Sequence, residues 1–410
     1  YRAGTAVTTG VNNTLIGATA GDAFTDADAN TAIGAYALTA DTMGSQSTAV
    51  GHGSLAHQNF TTATAANNTA IGYIAGNLIT TGINNTFVGS GAGDTTTTAN
   101  QNVAVGKDAF TSNVAGAKNV AIGTAAMANF NVTATDSLNT CVGDHAGSAM
   151  TTGVFNVCVG GNAGDALTDA DANIAIGRHA LGADTLGSGS IAIGDSSLFT
   201  QNYATGTAAF NVALGHSAGY SISTGVYNIS VGARANATST PTTTGNYNRI
   251  IGVDGRPSAG SGGHQICIGN EVTGTADNTF NFGKASNIVS NTFTSNASFS
   301  RSSDVNKKTN IEDDTLGLDF INDLRTVTFN WRPNSEFPEH YKDYHPTKND
   351  METDIKLHGM VAQEVKAALD KAGVDTFGGW EESKDGMQSI SREMFVIPLI
   401  KAVQELTARV

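Results

Sequence analysis

The stretch NTAIGAYALTADTMGSQSTAVG, residues 30–51, decides the fold. It holds one five-residue unit twice, NTAIG at 30–34 and STAVG at 47–51, with the two closing glycines seventeen residues apart. Working outward, the unit recurs as NTLIG, NTFVG, NVAVG, NTCVG, NIAIG and NVALG, and ends in the poorer copies NRIIG, QICIG and TFNFG. The sixteen closing glycines are residues 17, 34, 51, 72, 89, 106, 123, 143, 160, 177, 194, 215, 232, 252, 269 and 283. Ten of the fifteen intervals are 17 residues, four are 20 or 21, and the last is 14. That period is too short for a helix pair and fits one coil of a β-solenoid.

Each place in the unit has a physical reason. A large apolar residue precedes the glycine, and two places earlier stands a β-branched Thr, Val or Ile in fourteen of sixteen copies. A mostly small residue lies between them, as in a strand with two unlike faces. The pattern predicts that the large apolar residues form a continuous buried ladder. Asn opens twelve of the sixteen units, and its tolerance of left-handed backbone predicts that it sits at a corner, with glycine at a second corner.

Composition agrees. Gly is 48 of 410 residues and charged residues are 14%, too few for a charge-solvated disordered chain. The net charge of −14 divides evenly between residues 1–302 and 303–410, so the second part is about three times denser in charge. No basic patch exists for nucleic acid or anionic lipid, and no run of 18 apolar residues exists for a membrane. The chain begins at Tyr1 rather than Met, so it reads as a fragment or a processed product.

Cys141, Cys158 and Cys267 occupy the same slot of the repeat and read as small buried residues rather than a disulfide framework. TDADAN occurs twice, with Asp26, Asp28 and Asn30 matched by Asp169, Asp171 and Asn173, inside a larger duplication offset by 143 residues. The spacing opens like a calcium loop, but the expected glycine is Thr31 or Ile174 and the closing acid is missing. Turn residues before a strand explain it. The nine histidines show no metal-ligand spacing. Neither a metal nor a cofactor is expected.

The units resemble the NSVAIG-type repeats in the head domains of trimeric autotransporter adhesins, and similar repeats in phage tail fibres. The resemblance covers residues 10–283 and implies a left-handed parallel β-roll in which three chains pack side by side. The 17-residue coil departs from the shorter adhesin coil.

After Gly283 the period stops. Residues 284–302 read as a polar connector, and residues 303–410 as an ordinary mixed domain holding Trp331, Trp380 and four of the six prolines. TLGLDFINDL reads as a helix, TVTFNW as a strand, and KLHGMVA–QEVKAALDKAG as a strand running into a helix. In SREMFVIPLIKAVQELTARV, Val396, Leu399, Val403, Leu406 and Val410 step by 3, 4, 3 and 4, the seam of a coiled coil.

SDVNKKTNI, HGMVAQEV and IPLIKAVQEL occur in that order. Together they resemble the endosialidase-type C-terminal intramolecular chaperone domain of phage tail fibres and tailspikes. That resemblance implies assistance to trimer folding, followed by self-cleavage before the motif's serine by a serine–lysine dyad. Carried over, Ser303 is the nucleophile, Lys308 the base and Ser302–Ser303 the bond cut. Such chemistry needs a lysine made neutral by burial or by nearby positive charge. Lys307 could supply that charge or be the base itself; the family motif favours Lys308.

The sequence therefore predicts a mainly β chain. Residues 1–283 form a trimeric parallel β-solenoid shaft, 284–302 a connector, and 303–410 a small α+β chaperone and autoprotease domain ending in a coiled-coil helix. The expected function is a viral tail fibre for host attachment, made in the host cytoplasm and carried on the virion. Its partners would be two further copies of itself, other tail or fibre proteins, and a host surface receptor, with a glycan among the candidates. Neither nucleic acid nor membrane insertion is expected. The alternatives are a bacterial trimeric surface adhesin, or a fibre whose chaperone does not cleave. A glycan-cleaving tailspike is disfavoured, because Glu271 is the only Glu before residue 303 and no paired carboxylates line up.

Overall fold

A computed structural model describes residues 2–132, 136–237, 244–285, 287–294, 303–349 and 351–409. The chain divides into two compact units, Tyr1–Ser302 and Ser303–Val410.

The first unit is a parallel β-solenoid. Sixteen short strands, from Thr14–Ile16 to Thr279–Lys284, stack in sequence order into one sheet. Each pairs in register with the unit one coil later, as Val103, Ala104 and Val105 do with Val120, Ala121 and Ile122. At ~4.8 Å per strand the fifteen steps rise roughly 72 Å. Residues 287–292, expected in a polar connector, instead form an antiparallel strand, Asn287–Thr292, that pairs with the last coil.

The facing of the strands is the reverse of the sequence expectation. The small middle residues are the buried ones: Ala32, Ala49, Ala70, Ala104, Ala121, Ala175, Ala192 and Ala213 are fully enclosed. The large residues before each glycine point outward, with Ile16 57%, Ile71 41% and Ile251 41% exposed. The lumen of a 17-residue coil is narrow, and Phe110, Phe130, Met127, Leu167 and Leu198 from the rest of the coil already fill it. Only Ala or Cys fits opposite them. Leu15, Phe87, Ser230, Ile250 and Asn281 are the exceptions, and the Phe87 ring occupies the space left by Gly76 and Gly93, where an added Cβ would stand 2.9 and 2.7 Å from it.

Asn is not at the corner either. The corner is the residue before it, left-handed at Gln101 (φ 59°), Lys118 (φ 60°) and Phe155 (φ 61°). The Asn side chains lie inside, one above another. Asn85 Oδ1 accepts the N–H of Asn102 at 3.0 Å, and Asn102 Oδ1 accepts that of Asn119 at 2.9 Å. The Asn102 amide donates to the Gly116 carbonyl at 3.0 Å. A buried polar group is tolerated only when bonded, and this ladder bonds both ends of each amide. The closing glycines did fall at a tight corner. Gly106 has φ 138°, and a Cβ there would sit 2.4 Å from the Gly123 carbonyl oxygen.

The ladder is interrupted at Ser47 and Ser190, just before the two coils of 21 residues. In the first, Gln58 reaches in. Its Oε1 accepts from Asn68 at 2.8 Å, while its Nε2 donates to Asp41 at 2.6 Å and to Ser47 at 3.2 Å. Asp41 also accepts the N–H groups of Gly44 and Phe60, which shapes the extra residues. Asp184, Gln201 and Ser190 repeat the arrangement in the other half of the duplication. Burial pushes both carboxyls above their ordinary value, against the bonds that lower it.

Asp41→Ala orphans the Gly44 and Phe60 N–H groups and takes one of two bonds from the Gln58 amide, and each donor left unpaired in the interior costs about 1–3 kcal/mol. We expect a lower thermal midpoint for Asp41→Ala than for Asp26→Ala at the exposed rim. The pH sign follows from the raised pKa: this contribution is full below the unfolded value near 3.8 and shrinks as pH rises through the folded one. A denaturation series across that window checks it.

The TDADAN carboxylates are engaged between coils. Asp28 Oδ1 accepts the Val11 N–H at 2.7 Å, and Asp171 Oδ1 accepts that of Val154 at 2.8 Å. Asn30 and Asn173 belong to the buried ladder. All three cysteines are free and buried.

The second unit packs three helices, α1 (Leu318–Asp323), α2 (Ala362–Ala372) and α3 (Val396–Ala408), with two antiparallel two-stranded sheets. Its core is Leu316, Phe320, Val365, Ala368, Leu369 and Phe395. α2 closes on Gly373, left-handed at φ 69°. α3 lies against α1 through Pro398 and Ala402, and Glu405 accepts the Leu318 N–H at 2.8 Å, satisfying one donor at the start of α1. Pro398 falls in the first turn of α3, where its missing N–H is harmless. The other side of α3 is apolar and open: Val396, Ile397, Leu399, Ile400, Val403 and Leu406 are each half exposed. Val410 lies outside the described residues. Among the described residues no helix is long and apolar enough to cross a membrane.

Candidate active site

Ser303 opens the second unit, and the five residues after it turn back on themselves. Asp304 is the N-cap of a 3-10 turn, Val305–Lys307. Its carboxylate accepts the Asn306 backbone N–H at 2.8 Å and the Asn306 side-chain amide at 2.9 Å. Those two bonds, the backbone one first, hold the Asp304 carboxyl below its ordinary value. The Lys307 and Lys308 N–H groups close the turn on the carbonyls of Asp304 and Val305. This hairpin of chain carries Lys308 back over Ser303, and Lys308 Nζ donates to Ser303 Oγ at 2.7 Å.

Of the two lysines, Lys308 is the one that meets the hydroxyl; Lys307 is the last residue of the turn. Ser302, on the other side of the expected scissile bond, lies outside the described residues. Ser303 and Lys308 are both exposed in the single chain. Asp304 and Asn306 were missed in the sequence. An Asp directly before a short turn is a capping signal, and reading it as one would have explained why residues five apart can touch.

One further feature lies elsewhere in the unit. A groove of ≈640 Å³ runs over Thr326, Val327, Thr328, His358, Gly359, Met360 and Arg392. Among the described residues no cluster of His, Cys, Asp and Glu could hold a metal ion.

Residues 303–374 match the family model for the chaperone of endosialidase. The match begins at Ser303, where the solenoid unit ends and the turn begins. The matched segment contains the serine–lysine contact, α1, α2 and the Val327–Phe329/Leu357–Gly359 sheet that floors the groove. No curated protein and no solved structure matches the chain.

Proposed function

We propose that the chain is a length of trimeric viral tail fibre that serves host attachment, and that its C-terminal domain aligns the three chains and then cuts itself off between Ser302 and Ser303. The observation that carries this reading is the 2.7 Å contact from Lys308 to Ser303 at the first residue of the chaperone match. Alignment is needed because sixteen near-identical coils specify register poorly.

The step balances within the chain. Neutral Lys308 takes the Ser303 hydroxyl proton while Oγ attacks the Ser302 carbonyl carbon. The carbon–nitrogen bond breaks, Lys308 returns the proton to the departing nitrogen, and the Ser302 acyl group rests as an ester on Ser303. Water, deprotonated by the same lysine, then hydrolyses the ester. A lysine is a base only when neutral, and desolvation favours that form. In the single chain the pair stands open to water, so the burial has to come from neighbouring copies. Cleavage thereby waits for assembly.

Mass spectrometry of purified protein tests the reading: a fragment starting at Ser303 is expected, and hydroxylamine should trap the ester. Persistently intact wild-type trimers would leave a chaperone without a protease.

Asp304 is a positioning residue in this scheme. A lost cap costs about 1 kcal/mol, so Asp304→Ala should slow cleavage about fivefold, while Asp304→Asn, also a good cap, should stay near wild type. Because the Asp304 carboxyl is held low, its cap is present above the unfolded value near 3.8 and is lost only as pH falls below that. Any pH dependence of cleavage near neutrality should therefore persist unchanged in Asp304→Asn.

A further inference from the structure

We propose that residues 309–314 of one copy dock into the groove over the Val327–Phe329/Leu357–Gly359 sheet of a second copy, and that this strap couples assembly to the Ser303–Lys308 pair. The proposal rests on the trimeric reading above and adds the surface that carries it.

The groove is built to take an acidic, extended guest. Thr328 and His358 stand opposite each other in the strand register on its floor. Met360 offers an apolar wall, and the Arg392 guanidinium lies over Gly359, where an added Cβ would be 3.3 Å from it. Arg325, Lys366 and Lys371 are each paired with a carboxylate of their own unit. Among the described residues Arg392 makes no ion pair, in a domain that carries more Asp and Glu than Lys and Arg. An unpaired guanidinium selects a carboxylate.

The guest is in the same sequence. Residues 309–314, TNIEDD, form no helix or strand and are exposed throughout. Ile311 is 64% exposed, a large apolar side chain with nothing over it. Glu312 and Asp313 meet no cation among the described residues, and Asp314 turns back to accept the Leu316 N–H at 3.0 Å. Leu316 is buried in the core, so the far end of the strap is fixed. Six residues span at most roughly 20 Å when extended. In the single chain the strap is exposed and the groove is open at once, so a second copy is the occupant that satisfies both. Ile311 then packs on Met360, and Glu312 and Asp313 meet Arg392. A heterologous contact of this kind closes into a ring of three, each copy giving one strap and receiving one. Seating the strap also presses the turn immediately before it, Ser303–Lys308, against the neighbour and takes water away from the pair.

The test uses the full chain. In a Ser303→Ala background, Ile311→Cys with Met360→Cys is oxidised by copper phenanthroline, with light scattering run on the same sample. The native cysteines are buried and stay silent. Reducible dimers and trimers of the chain are expected, and neither single cysteine should give them. In a cleaving background, Arg392→Glu and the pair Glu312→Arg/Asp313→Arg should each slow cleavage about tenfold, and combining them should restore most of the rate. Scattering at trimer mass, with no interchain link and no effect of the charge changes, overturns the strap and leaves the trimer standing. A monomer mass for the unmodified chain overturns both. A disulfide confined within one chain overturns docking in trans.

Discussion

Replacing Lys308 by arginine is expected to leave a protein that folds, assembles and stays in one piece. Arginine keeps the positive charge and can still donate to Ser303, but it does not give up its proton in a protein. The substitution therefore separates the lysine's hydrogen bond, at 2.7 Å, from its proposed service as a base. General-base catalysis contributes about 10²–10⁴-fold, and the loss should fall in that range for Lys308→Arg and Lys308→Ala alike. Ser303→Ala removes the nucleophile and should stop cleavage altogether. Lys307→Ala should still cut, because Lys307 closes the turn through its backbone and Lys308 is the residue that meets the hydroxyl. Time courses read by gel and mass spectrometry decide among these. Normal cleavage by Lys308→Arg would remove the lysine from the chemistry. Loss of cleavage in Lys307→Ala alone would move the base one residue back.

How much of this was legible beforehand depended on what each residue signals alone. The seventeen-residue period fixes strand, stacking and register, because a parallel in-register sheet simply puts each unit over the next. The direction of the strand was not legible. A strand such as Val103–Ala104–Val105 has one large face and one small face, and the usual rule buries the large one. Here the space inside was already taken by the Phe, Met and Leu of the rest of the coil, which the five-residue unit does not include. Asn misled for a related reason. Its backbone tolerance suggests a corner, yet its amide can join two coils at once, and a closed lumen rewards that more.

That Ser303 and Lys308 belong together was suggested by motif order, but the reason for their spacing was not legible. Ser303 and Lys308 are five apart, a separation with no meaning in a helix or a strand. The contact exists because Asp304 caps a turn, and a capping carboxylate is visible only once the turn is expected. The strap and groove were invisible. Arg392 and Glu312 are 80 residues apart, and nothing in their neighbours marks either as unpaired.

Two aspartates placed on the open side of α3, Leu399→Asp with Val403→Asp, should convert the proposed trimer to a monomer. These side chains are half exposed, yet they continue a stripe with Val396, Ile400 and Leu406 that no described residue covers. A helix that is apolar on its outer side needs a partner. The solenoid raises the same demand over a much longer surface. The outward residues at the strand ends, Thr, Val or Ile first and a large apolar residue third, run through sixteen coils with Arg249 as their only charge. Completing the burial of one such side chain is worth about 1 kcal/mol, half its full transfer value. Three chains multiply that over two stripes, so the gain is large. A carboxylate in α3 would instead be desolvated three times around one axis, facing its own copies. Because Pro398 and Ala402 hold α3 to α1 from the other side, the domain itself should stay folded, which far-UV dichroism can verify. The contrast with the shaft is informative. Ile176→Asp lies deep in the solenoid, far along the chain from the domain that aligns the copies. If α3 acts first, Leu399→Asp/Val403→Asp should yield monomers that never cut, whereas Ile176→Asp should still trimerise, still release the domain, and leave a shaft that falls apart at lower temperature. A trimer of unchanged mass from Leu399→Asp/Val403→Asp would show that α3 has no part in aligning the chains.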